Sequence, residues 1–143
     1  MQEEKHMAAI TEVEELLEEC LKGQKSLLKR QRILMAALSI GMQHLIELWL
    51  HKSHAIKHGA SVKHDWFAAE ERRLKLRLIG LVTKDISKLG NFDRIIGLAR
   101  EIERNRNDIV YGAPLSSDSS LREKIEAYLE LKRIIKHSVG DIE

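Results

Sequence analysis

Apolar residues recur at three- and four-residue steps in five stretches of the chain, the spacing that lines up side chains on one face of an α-helix. Ile10, Val13, Leu17, Cys20 and Leu21 form the first stripe. Glu12, Glu14, Glu15, Glu18 and Glu19 fall largely on the opposite side, and Gly23 closes the helix. From about Ser26 to His51 a second stripe runs through Leu27, Leu34, Leu38, Met42, Leu45 and Trp49. At 1.5 Å per residue this helix is about 40 Å long and sets the length of the molecule. Gly41 costs helix stability there, so its place in the stripe predicts a close approach by another element.

Between Lys52 and Lys63 the periodicity fails, and Gly59, Ala60 and Ser61 predict a loop. Asp65 then suits the N-cap of a third helix carrying Phe67, Leu74, Leu78, Leu81 and Val82, with Arg72, Arg73, Lys75 and Arg77 on its polar side. Asn91 and Asp93 open a fourth helix, whose stripe Ile95, Ala99, Ile102 and Ile109 runs to the stop at Gly112, Ala113 and Pro114. The polar run LSSDSS is a surface loop. Ser120 with Glu123 reads as a capping box before Leu121, Ile125, Tyr128, Leu131 and Ile135, a helix lasting to about Ser138. The pattern predicts an all-α, up-and-down bundle of four or five helices, the third short or displaced, in one domain over residues 1–143.

Composition narrows this picture. A chain of 143 residues buries a core without disulfides or metal, and 4% aromatics with a single proline favour helices over sheets. Cys20, the sole cysteine, lies in an apolar stripe and reads as a small buried hydrophobe. The opening MQEEKHMAAI is acidic, without the apolar segment of a secretion signal, and no uninterrupted apolar run approaches the length of a membrane span. A cytoplasmic protein without membrane attachment is expected. The net charge of +2 conceals a segregation: residues 1–21 carry seven acids and one base, residues 22–77 twelve bases and four acids, and the remainder eleven of each. That distribution permits an electropositive face, or an acidic first helix lying against basic neighbours.

The densest chemistry lies in REIERNRNDIVYG, residues 100–112, with arginines at 100, 104 and 106 and asparagines at 105 and 107. Arg106 falls inside the apolar stripe, where a permanently charged guanidinium must reach water, an acid or an anion. The bland reading is a helix end whose arginines pair with Glu101, Glu103 and Asp108. RNDIVYG also resembles the signature of the HEPN superfamily, a helix ending RNxxxHG. Arg106, Asn107 and Gly112 match, and Tyr111 stands where the family has its histidine. Arg104 with Asn105 satisfies a longer form of the family spacing, so either arginine is a candidate phosphate-facing group. In weaker form, the order and spacing of helices extend the resemblance from about Gln31 to Ile135.

The resemblance, closest to the HepT-like toxin branch, implies an RNA-acting homodimer. Arg and His of two subunits there cut RNA without metal in a module shared with a nucleotidyltransferase antitoxin. His near pKa 6.5 can take the 2′-hydroxyl proton while Arg steadies the phosphate. Tyr111 is a poor base at neutral pH, although it can donate a hydrogen bond or stack on a base. The expected site is therefore Arg106, Asn107 and Tyr111, with Arg104 and Arg106 contacting RNA, in an altered ribonuclease or a degenerate relative of one. Positions 106 and 111 lie about 140° apart on an ideal helix and converge only if it loosens before Gly112. Ala113 replaces the second Tyr on which a partner nucleotidyltransferase acts in the toxin branch.

Rival constellations carry less. His51, His54 and His58, with Glu47 one turn earlier, would share a face if the second helix ran on, but the small and polar residues that follow place the helix end within this span. Solvated or RNA-facing histidines, able to supply the missing His by proximity, are expected instead of a metal site. No Gly-rich phosphate loop, CxxC pair or Ser-His-Asp order occurs, so neither cofactor nor metal is expected, and nothing points to DNA. The alternative is a non-catalytic dimerisation or protein-interaction module built on the same helix end.

Overall fold

The computed structural model describes residues 3–23, 27–57, 59–112 and 118–139, with the backbone alone at residues 87 and 139. Six α-helices follow in order: α1 (Glu3–Lys22), α2 (Gln31–Lys52), α3 (Glu71–Leu81), α4 (Phe92–Glu103), the short α5 (Arg106–Tyr111) and α6 (Ser119–Val139). Single 3₁₀ turns cover Leu27–Arg30, His64–Ala68 and Ile86–Lys88. The described residues contain no strand, only one isolated bridge between Ile56 and Val82. The predicted all-α class holds. The expected helix start at Ser26, His58, Ala113 and most of the 113–118 loop lie outside the described residues.

Directions follow from side-chain contacts. His6 at the start of α1 meets His44 late in α2, while Arg30 before α2 reaches Cys20 late in α1, so these helices are antiparallel. Arg94 pairs with Glu130, and Lys124 reaches the backbone of Glu101, so α4 and α6 are antiparallel too. α2 and α6 run parallel: the Leu28 amide donates to the Asp118 carboxylate, and Gly41 faces Tyr128. α1, α2, α4 and α6 thus alternate in direction, with α2 and α6 as the parallel pair. Every apolar residue assigned to the second stripe is buried, and the core runs on through Ile10, Leu17, Leu74, Ile95, Leu121 and Ile135. Leu27–Lys52 is long and apolar enough to cross a membrane, but 72% of that window is buried inside the bundle, as befits its central helix.

Two starts differ from the sequence expectation, and a third keeps its expected cap residue in another backbone conformation. Asp65 lies within a 3₁₀ turn and does not cap α3, because Ala69 and Glu70 are extended and restart the chain; the turn lets Phe67 enter the core. Asn91 is the N-cap of α4, but in the left-handed conformation, and its amide donates to Ser138 Oγ. Ser120 lies one residue inside α6, whose first turn opens on the Asp118 carbonyl, the acceptor from the Arg122 amide. α3 is displaced, as expected. It hangs on the loop after α2 through hydrogen bonds Lys57 N–H to Leu81 C=O and Thr83 N–H to Ala55 C=O.

Gly41 confirms the predicted close approach. A Cβ there would lie 2.7 Å from Tyr128 Cε1 and 2.8 Å from its hydroxyl oxygen. Because the Tyr128 ring is fully buried, it has little room to yield. Gly41→Ala should lower stability by about 1–3 kcal/mol through overpacking, offsetting its gain in helix propensity. Urea unfolding should register this as a lower midpoint, and Tyr128→Leu in the same chain should recover part of the loss.

Candidate functional site

The helix ending in RNDIVYG is broken. α4 ends at Glu103, Arg104 turns extended (φ −57°, ψ 130°) and Asn105 takes the left-handed conformation (φ 63°, ψ 17°) before α5 restarts at Arg106. Asparagine tolerates this region better than other side-chain-bearing residues. Lys124, almost fully buried, supports the break from α6: its ammonium donates to the carbonyls of Glu101 (2.8 Å), Ile102 (3.1 Å) and Arg104 (2.6 Å). Those are carbonyls that an ending helix leaves without amide partners. Burial lowers the Lys124 pKa from its ordinary value to about 8, against the attraction of Glu101.

The two arginines line different grooves. Arg106 and Asn107 line a groove of about 190 Å³ with His64, Asp65, Glu103 and Asp108. Arg104 instead lines a neighbouring groove with Arg100 and Phe67, and it pairs with Glu101 at 2.8 Å. Exposed pairs of that kind contribute about 0–1 kcal/mol. Arg106 is half-buried, its Nη1 donates to Asn107 Oδ1 (3.2 Å), and its buried Nε has no hydrogen-bond partner. Among the described residues no carboxylate pairs with Arg106, so the bland reading of paired arginines holds for Arg104 with Glu101 and not for Arg106. Tyr111 is 77% exposed at the end of α5 and lines neither groove.

Facing Arg106 is a histidine that sequence reasoning had not placed in the site. His64 Nδ1 lies 2.8 Å from Glu103 Oε2, and the buried Glu103 takes the Ser39 hydroxyl on its other oxygen at 2.6 Å. The carboxylate sits between hydroxyl and imidazole, so Ser39 is not an activated nucleophile, which would need the imidazole in the middle. With the Glu103 carboxylate accepting from Nδ1–H, a neutral ring presents Nε2 as an acceptor, the arrangement of an oriented base. The His64 segment hangs from α2: its amide donates to Gln43 Oε1 (2.9 Å), and the Val62 amide donates to Glu47 Oε1 (2.5 Å). Ser39, Gln43 and Glu47, four residues apart, form one polar stripe on the central helix. No motif announces His64, which lies 39 residues from Glu103.

The other histidines divide. His54 follows the end of α2, exposed and with φ of 52°, so it cannot share a helical face with His51. His51 turns toward His6, the ring centroids 5.2 Å apart. His6 is fully buried, with Nδ1 3.0 Å from His44 Nδ1 and Nε2 3.3 Å from Glu47 Oε2. Burial pushes the His6 pKa down to about 4 despite the opposing attraction of Glu47, and lowers His44 as well.

Two outcomes follow. Lys124→Met should cost about 1–3 kcal/mol in urea unfolding, because three helix-end carbonyls lose their donor, and should speed amide exchange at residues 104–109. His6 is neutral in the fold but binds a proton near pH 6.5 when unfolded, so its contribution is intact above that value and is lost as pH falls toward 4. Stability should therefore decline by about 1.4 kcal/mol per pH unit across this window from His6 alone, and urea midpoints of His6→Gln should fall less steeply.

Compared with known proteins, this chain matches no family model, no curated protein and no solved structure.

Proposed function

We propose that the chain is an RNA-acting domain of HEPN-like type, in which Arg106 with Asn107 receives a phosphate and His64, oriented by Glu103, handles the proton. The observation that supports this reading is the half-buried Arg106, paired with no carboxylate among the described residues, in one groove with an imidazole whose tautomer a buried carboxylate sets. Such a pair suits metal-independent cleavage. The imidazole removes the 2′-hydroxyl proton, the 2′-oxygen attacks the adjacent phosphorus, and the 5′-oxygen leaves with a proton from water or from the twin site of a homodimer. His64 takes the role for which the family signature uses the position of Tyr111. The exposed Tyr111 ring offers a face for stacking an unpaired base. A homodimer, a nucleotidyltransferase-like antitoxin as partner and a cytoplasmic setting extend the proposal from the resemblance.

The non-catalytic interaction module remains the second reading, favoured by Ile33 and Ile40, which are 61% and 47% exposed at a seven-residue step on α2. Both readings meet in one experiment: cleavage and binding of structured RNA in chelator by the wild type, His64→Ala, Arg106→Ala and Tyr111→Phe. His64→Ala should lose ~10²–10⁴-fold in cleavage rate while retaining binding. Arg106→Ala should weaken binding and make its salt dependence shallower by about one phosphate contact. Tyr111→Phe should leave cleavage within a few-fold of wild type, since a phenyl ring still stacks. A dimer that neither binds nor cuts RNA would hand the chain to the interaction reading.

A further inference from the structure

The His6 cluster belongs to no part of the proposed RNA groove, shares no residue with it, and is built unlike an ordinary core. A fully buried histidine on α1 meets His44, Glu47 and His51 on α2, and Glu47 is itself only 2% exposed. His44 and Glu47 are three residues apart and Glu47 and His51 four, the steps at which one helix presents several ligands on one side. One nitrogen from each of His6 and His44 and one Glu47 oxygen all lie within 4.8 Å of one another. His6 Nε2 lies 3.3 Å from Glu47 Oε2, a separation like that of two donors on one small cation. Donors on one tetrahedral zinc at ~2.0–2.1 Å are about 3.3–3.4 Å apart.

Hydrogen bonding within the protein accounts for only part of the cluster, the contact between the two Nδ1 atoms of His6 and His44. His6 Nε2 and His51 Nε2 are both buried without a hydrogen-bond partner. Buried imidazole nitrogens normally find one, and an unsatisfied pair beside a buried carboxylate calls for an ion or water.

We propose that His6, His44 and Glu47 form a binding site for a divalent ion of the zinc class. Two imidazoles and one carboxylate suit zinc, cobalt or nickel, whereas calcium and magnesium favour all-oxygen shells. The near-complete burial of His6 and Glu47 leaves no route for a substrate, so the ion is structural. It joins the start of α1 to the end of α2. Because Glu47 also accepts the Val62 amide, the ion braces the segment that carries His64.

The test uses the full chain, freed of any affinity tag, stripped with chelator and reloaded with excess zinc before gel filtration. About one zinc per chain should remain by elemental analysis, and the thermal midpoint should rise with zinc concentration. Cobalt in place of zinc should give visible absorption bands of low-coordinate Co(II). His6→Gln and Glu47→Gln should each weaken the affinity by at least ~10-fold, the least that even an outer-shell change costs. His54→Gln, exposed and outside the cluster, should bind as the wild type does. Retention of no zinc with an unmoved midpoint overturns the proposal, and so does equal binding by the wild type and His6→Gln. If the variants fail to fold, the stoichiometry and cobalt spectrum of the wild type decide alone. Metal content is read without RNA, so loss of the ribonuclease reading leaves this result untouched.

Discussion

Everything near the candidate site depends on satisfying polar groups buried along the central helix. Ser39, Gln43 and Glu47 lie on one face of α2, in the most apolar part of the chain, and each takes a partner from elsewhere: Glu103, the His64 amide and the Val62 amide. Leaving one such group without its hydrogen bond costs about 1–3 kcal/mol. The extended loop after α2 has no neighbouring strand beyond one bridge, so these side chains do for its backbone what a sheet would do. The apolar stripe places the helix in the core, and the polar stripe determines what docks against it.

The second constraint is the interruption at Arg104 and Asn105. A continuous helix would carry Arg104, Asn107 and Tyr111 on one face; the two non-helical residues reset the phase, so that Arg106 and Asn107 line one groove while Tyr111 lies outside it. Such a break exposes helix-end carbonyls inside the protein, and Lys124 meets three of them. The cost of burying the ammonium is offset by those acceptors. Glu103, the last residue of α4, thereby points inward to Ser39 and His64 while Arg106 opens on the groove.

Among the described residues two buried carboxylates, Glu47 and Glu103, pair with histidines, and their surroundings separate their roles. His64 against Glu103 is about one-third exposed and borders a groove with an arginine, so it can exchange protons with a ligand. His6 against Glu47 is sealed, with two further imidazoles beside it, so it can hold an ion but not process a substrate. Glu47 touches both regions, through His6 on one oxygen and the Val62 amide on the other.

Much of this was legible from local pattern. The helix stripes, the stop at Gly23, the close approach at Gly41, the displaced third helix and the charged arginine in an apolar row all follow from spacing along the chain, because helical periodicity is a local property. Asn105 is of a residue type that tolerates left-handed backbone, but the apolar stripe runs straight past it and gives no sign of a break. His64 could not be found this way. Its partner lies 39 residues on, its backbone is held by a helix 21 residues back, and its segment carries no periodicity. His6 likewise meets His44 across 38 residues. The sequence by itself determined which residues form helices and which face each helix buries; tertiary structure alone decided which histidine meets which carboxylate, because buried polar groups choose partners by proximity after packing, and chain spacing does not encode that proximity.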